Sequence, residues 1–206
     1  KQISMKISHL AYYILENYSS VEGGITPLKL QKLLYYTKAW GLVSGELNVN
    51  GQFKAWKNGP VNGYIYHEFK DFSDQPIKGN FEAGPLPHAK KELIDFILES
   101  YAHFDAITLS AMTHEEDPWE QTPKNEVISD QTIEEFYSRQ PFAKNFPLCK
   151  DKPYYPVYTD FMYSFIFDFQ EGDKAKEVVF DTFDEYKKLM QQSKKDLNNY
   201  FAFESA

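Results

Sequence analysis

The chain predicts a predominantly helical α+β fold: a compact helical domain with a small antiparallel β element and a C-terminal helix. Three observations carry this. Apolar residues recur at helical spacing in several separate stretches. One stretch near the C-terminus switches to a period of two. Glycine and proline punctuate the chain between these runs.

Taken in order, Ile7, Leu10, Ala11 and Ile14 define a first amphipathic helix over residues 5–18, broken by Gly23 and Gly24. Thr26 offers a capping hydroxyl for a second helix, and Pro27 fits its first position, where no amide donor is needed. Leu30, Leu33, Leu34 and Thr37 carry its stripe to Gly41, and Lys29, Lys32 and Lys38 lie off that stripe, where water would hydrate them. Phe53 to Trp56 alternates like a short strand. Gly59-Pro60 turns a corner, and Pro60 is placed to open a helix through Tyr64, Ile65, His67, Glu68 and Phe69. Residues 73–87, rich in Pro and Gly, read as an exposed connection. Residues 88–104 read as a helix, and Asp105 caps another over residues 106–114. An acidic corner follows at residues 115–119, then a loop and a short helix over residues 132–139.

Pro141, Pro147, Pro153 and Pro156 mark an irregular run, which divides a first part, residues 1–140, from an extension, residues 141–206. The extension places Thr159, Phe161, Tyr163, Phe165, Phe167 and Phe169 on one face of a strand. A turn at residues 171–174, a return strand over 177–180 and a last helix over about residues 181–200 complete it. Acidic residues at that helix's start and Lys194 and Lys195 towards its end match the helix dipole.

The net charge of −8 argues against a nucleic-acid-binding surface, which needs clustered Lys and Arg. It is compatible with a basic protein partner and with plain solubility. The single cysteine, Cys149, cannot form an internal disulfide, which fits a cytoplasmic location. No apolar run is long enough to span a bilayer. An aromatic content of 17% implies a core built on rings.

Candidate chemistry is sparse. His114 beside Glu115, Glu116 and Asp117 could serve a metal or a small hydrolase, yet the spacing is that of no known ligand set. His114 also falls at a helix end, where an imidazole bonds free carbonyls, with the acids as a solvated corner. Thr108, Ser110 and Thr113 with His103 or His114 lack a nucleophile elbow, and Cys149 reads as an inert thiol. Lysines interleaved with Tyr35, Tyr36, Trp40 and Trp56 could line a nucleic-acid groove or simply divide core from water. The aromatic strand is either the inner face of a small sheet or an edge that captures a partner strand.

Three separated motifs carry a resemblance. They are the run from Thr26 through Tyr36, the segment Ala55-Trp56-Lys57-Asn58-Gly59-Pro60-Val61 with Tyr66, and Leu109-Ser110-Ala111-Met112-Thr113-His114 with Pro118-Trp119. Over roughly residues 5–140 the chain resembles the Panacea domain, the SocA-like antitoxin family. Lys57-Asn58 departs from the aromatic or aliphatic residue usual after the Ala-Trp pair. The resemblance implies a bacterial or prophage antitoxin that binds and neutralises a cognate toxin from the adjacent gene. Such toxins are of unrelated kinds, including translation-blocking transferases and Fic-type proteins. One member acts as a proteolytic adaptor that delivers its toxin to a AAA+ protease.

No catalytic residues, metal ligands or cofactors carry over from the family, so a non-enzymatic protein is expected. Pro27, Leu30, Lys32, Leu33, Tyr35, Trp56, Gly59, Pro60, Val61, Thr113, His114, Pro118 and Trp119 are expected as framework. Tyr158, Phe161, Tyr163, Phe165, Phe167 and Tyr186, in the unmatched extension, are expected to contact the partner.

Overall fold

The computed structural model describes residues 4–149, 152–157 and 179–192. The fold is α+β and predominantly helical, with a small three-stranded antiparallel sheet. The chain divides into two compact units, 1–140 and 141–206.

In the first unit, β1 (Ser4–Lys6) leads into α1 (Ile7–Tyr18), and α2 (Pro27–Ser44) follows. The α2 start is fixed by the Thr26 side chain, which accepts from the Lys29 backbone N–H at 3.2 Å, with Pro27 in the first turn. Its end is three residues beyond Gly41: the stop is Gly45, whose φ of 69° is the left-handed conformation that only glycine adopts cheaply. After α2 come β2 (Asn48–Asn50), β3 (Phe53–Trp56), β4 (Gly59–Val61) and α3 (Gly63–Phe69). The rest of the unit is α4 (His88–Tyr101), α5 (Ala106–His114), α6 (Asp117–Glu120), β5 (Val127–Ile128) and α7 (Asp130–Tyr137).

Pro60 does not open a helix. It lies in β4, paired across from Ala55, and α3 begins at Gly63 with Asn62 accepting from the Ile65 N–H at 3.1 Å. A proline at an edge strand costs no ladder bond, and this competes with its preference for a helix start. The sheet order is β4-β3-β5, all antiparallel. The parallel β1-β2 pair is not legible in the sequence, because three residues ahead of a helix carry too little periodicity. Residues 73–87 are mostly exposed, as expected, and are pinned where the Ile77 N–H donates to the Ile25 carbonyl at 2.8 Å.

The unit is built around α2, which packs against α1, α3, α4, α5, α7, β2 and β4. Every residue from Lys29 to Gly41 is buried. This overturns the expectation that Lys29, Lys32 and Lys38 are hydrated: they are 3%, 0% and 3% exposed. A stripe describes a helix with one neighbour, and α2 has neighbours all round. Lys38 meets the cost of burial by donating to the Val49 carbonyl at 3.2 Å and pairing with Asp130 at 2.9 Å. Tyr35, Tyr36 and Trp40 build an aromatic core with Tyr101 and Tyr137. Tyr36 stacks on Tyr101 at 4.2 Å, and the Trp40 indole donates to the Tyr101 hydroxyl at 2.7 Å. Each such ring pair adds about 0.5–1.5 kcal/mol beyond its area.

In the second unit, a 3-10 turn spans Pro141–Asn145. Asn145 holds the Tyr155 backbone from both sides, donating to its carbonyl at 2.8 Å and accepting its N–H at 2.9 Å. Tyr154 forms an antiparallel bridge with Phe180, and residues 183–192 are helical. Most of the expected hairpin, including Tyr158, Phe161, Tyr163, Phe165 and Phe167, lies outside the described residues, as does the expected last helix beyond residue 192.

The Lys38–Asp130 pair yields a test. Asp130→Asn leaves the buried ammonium without its countercharge, so urea unfolding should show a loss of about 1–3 kcal/mol. Adding Lys38→Met should recover most of that loss, because the cost lies in the stranded charge; purely additive losses would contradict this.

Candidate functional site

The three sequence motifs meet at the turn between β3 and β4, residues Trp56, Lys57, Asn58 and Gly59. Gly59 holds a φ of +94°, in the region that disfavours side chains, and a Cβ there would collide with Lys32 Nζ and Thr113 Oγ1. Side chains from other elements then take the turn's carbonyls in succession. Trp119 Nε1 donates to the Trp56 carbonyl at 2.8 Å. His114 Nε2 lies 3.1 Å from the Lys57 carbonyl, an acceptor, so Nε2 carries the proton. Ser110 Oγ donates to the Asn58 carbonyl at 3.0 Å, and Lys32 Nζ donates to the Pro60 carbonyl at 3.2 Å. Just beyond, Gln31 clamps Asn62, accepting from its N–H at 2.8 Å and donating to its carbonyl at 3.2 Å.

Local sequence explains this grip. Ser110 and His114 are four apart on α5 and so project from one face. Asp105 starts that helix by accepting from the Thr108 N–H at 2.7 Å. Pro118 lies in the first turn of α6, and Trp119 beside it reaches back to β3 while its ring packs 4.1 Å from the His114 ring.

Behind the turn lies a buried polar cluster. Glu116 accepts from the Tyr137 hydroxyl at 2.6 Å and from the Tyr36 hydroxyl at 3.1 Å. Burial pushes its carboxyl up to about 8, against these hydrogen bonds and the attraction of Lys32. Burial likewise drives the Lys32 ammonium down to about 7, with Glu116 opposing. The phenols of Tyr35, Tyr36 and Tyr137 are raised by burial and by the Glu116 charge. Among the described residues, the Tyr35 hydroxyl is the one buried side-chain polar atom without a hydrogen-bond partner. His114 is lowered by burial, partly offset by its bond to the Lys57 carbonyl.

The expected acidic corner is therefore only partly solvated: Glu115 and Asp117 are exposed, whereas the Glu116 carboxyl sits under the aromatic core. His114 bonds a carbonyl of the β3–β4 turn rather than the free end of its own helix, because α5 packs against β4. Ser110 and Thr113 direct their hydroxyls to the carbonyls of Asn58 and Ser110. Among the described residues no three His, Cys, Asp or Glu side chains group as metal ligands. Burial removes Lys29, Lys32 and Lys38 from any nucleic-acid groove.

Pro27 opens α2, Leu30, Leu33 and Tyr35 are fully buried along it, and Val61 is buried in β4. Tyr186 of the second unit is 3% exposed and packs 4.7 Å from the Tyr154 ring and 5.3 Å from the Phe180 ring. Sequence reasoning missed Gln31, Tyr36, Glu116 and Tyr137 as members of the cluster. The available signal was the Gln31-Lys32 pair inside a run where apolar residues occupy every side of the helix.

The cluster predicts an unusual pH dependence. Folded Glu116 holds its proton more tightly than its unfolded value of 4.5, so its contribution is full below that pH and is lost as pH rises to about 8. Folded Lys32 holds its proton less tightly than its unfolded value of 10.5, so stability returns between about 7 and 10.5. Glu116→Gln removes the falling arm. Urea midpoints measured from about pH 5 to about pH 7 should move in the variant's favour relative to wild type. A difference between the two proteins that stays constant over that range would contradict the burial of this carboxyl.

Residues 30–120 match the family described as Antitoxin SocA-like, Panacea domain. The chain is also similar to Antitoxin SocA of Caulobacter vibrioides (strain NA1000 / CB15N), at 31% identity over 125 residues, which cover 54% of this chain and 66% of that protein. The match thus spans just under two thirds of that relative's length. No solved structure matches the chain. The family match contains Lys32, the β3–β4 turn, α5 and Trp119, the elements that the structure brings together. Over residues 30–120 the chain is similar to the SocA-like Panacea domain family.

Proposed function

We propose that the protein is an antitoxin that neutralises a cognate toxin, encoded by the adjacent gene, through direct protein–protein binding. The likeness to Antitoxin SocA and its family supports the antitoxin role. The observation that carries binding over catalysis is where the motif side chains go. Ser110, Thr113, His114 and Lys32 are the groups a hydrolase or transferase would use, and each is engaged with a backbone carbonyl. A nucleophilic hydroxyl needs a base to take its proton, and here the Ser110 and Thr113 protons go to backbone carbonyls instead.

Burial of Lys29, Lys32 and Lys38 also leaves the surface more acidic than the sequence implies, which favours long-range encounter with a basic protein. Among the described residues no helix is long and apolar enough to cross a membrane.

Co-expression with the protein from the adjacent reading frame tests this. Growth should be restored, the two proteins should co-purify, and rescue should persist in cells lacking AAA+ proteases. Rescue that disappears in those cells would assign the chain a proteolytic adaptor role instead. Absence of both rescue and co-purification would overturn the antitoxin reading.

A further inference from the structure

We infer that the partner docks on a strip running from Ile107, over the Lys57–Asn58 turn, to the Trp56–Tyr66 ring pair, and that it meets this strip with an apolar surface bearing acidic groups. This rests on the direct-binding reading and names the surface it uses.

The strip is continuous. Ser110 bonds the Asn58 carbonyl, and Ile107 lies three residues earlier on α5, so it projects from the same side one helical turn further on. Ile107 is 73% exposed, more than any other exposed large hydrophobic side chain described. On the other side of the turn, the His114 ring meets Trp119, and Trp119 bonds the Trp56 carbonyl. The Trp56 ring packs edge-on against Tyr66 at 5.0 Å, and Tyr66 is 38% exposed. Partly exposed aromatic rings beside a protruding aliphatic side chain are the composition of an interface centre.

The turn is also held more firmly than a connecting turn requires. Carbonyls of Trp56, Lys57, Asn58 and Pro60 each receive a side-chain donor, and one donor is a buried lysine whose desolvation is costly. A connection with only a structural role could leave these carbonyls to water. A turn fixed before its partner arrives binds without an ordering cost, which is where affinity is otherwise lost.

Charge sets the partner's chemistry. Lys54 and Lys57 are both exposed, and among the described residues no carboxylate lies within ion-pair distance of either ammonium. Lys54 and Trp56 alternate with the inward Phe53 and Ala55, so they share the outer face of β3. On a chain of net charge −8 these two lysines form a local exception. The overall acidity acts on approach at long range, and the lysine pair acts on register at contact, where it selects acidic groups.

The test uses the full chain and the purified protein from the adjacent reading frame, with affinity measured by titration calorimetry. The double variant Lys57→Glu/Ile107→Asp alters only exposed side chains, so its melting temperature should match wild type while its Kd rises at least about tenfold. Lys57→Ala alone should give a smaller weakening and a shallower salt dependence. Lys78→Glu, a charge reversal in the exposed connection, should bind as wild type does. If the folded double variant binds with unchanged affinity, the docking strip is wrong and direct binding stands. If wild-type chain fails to bind at all, both fall.

Discussion

The contact between the Lys32 ammonium and the Pro60 carbonyl depends on α2 being enclosed on all sides, and much of the first unit is arranged to make that enclosure possible. A lysine at zero exposure is tolerable only if something replaces its water. The Pro60 carbonyl does so from β4, and the Glu116 carboxyl lies behind it. That places β4 against α2, which leaves no room for a side chain at residue 59 and brings α5 close enough to take the turn's carbonyls. The hairpin is thus part of the core's polar chemistry rather than an appendage to it.

The same enclosure explains what could be read from the sequence. Two helix starts were legible because each is a local device: Thr26 with Pro27, and Asp105, act over three residues and depend on nothing distant. The antiparallel strand 53–56 was legible from its alternation. The fate of the α2 lysines was not, since a helical stripe reports one apolar face and is silent when neighbours cover the others. Pro60 misled because helix starts and edge strands favour proline for the same reason, its missing donor. Glu116 looked like one more acid in a solvated corner, and only Tyr36 and Tyr137, each distant in sequence, reveal it as half-buried with its carboxyl turned inward.

Function follows from where polar groups are directed. In an enzyme, hydroxyl, imidazole and amine converge on an open space. Here the corresponding groups of the matched span converge on backbone, and what faces outward is the turn they hold, with Trp56, Tyr66 and Ile107 beside it. Burial of Lys32 costs stability near neutral pH, and its ammonium holds the turn through the Pro60 carbonyl in return. On the proposed binding role, such local cost fixes the turn ahead of a partner.

Its four bonded carbonyls make the β3–β4 turn rigid before any partner binds. Native-state hydrogen exchange of the free protein, resolved to single amides, measures this most directly. Amides of residues 55–59 with internal hydrogen bonds should exchange only through the same global opening as those in the middle of α2. Exchange in this segment that is orders of magnitude faster than in α2, through a local opening, would contradict it.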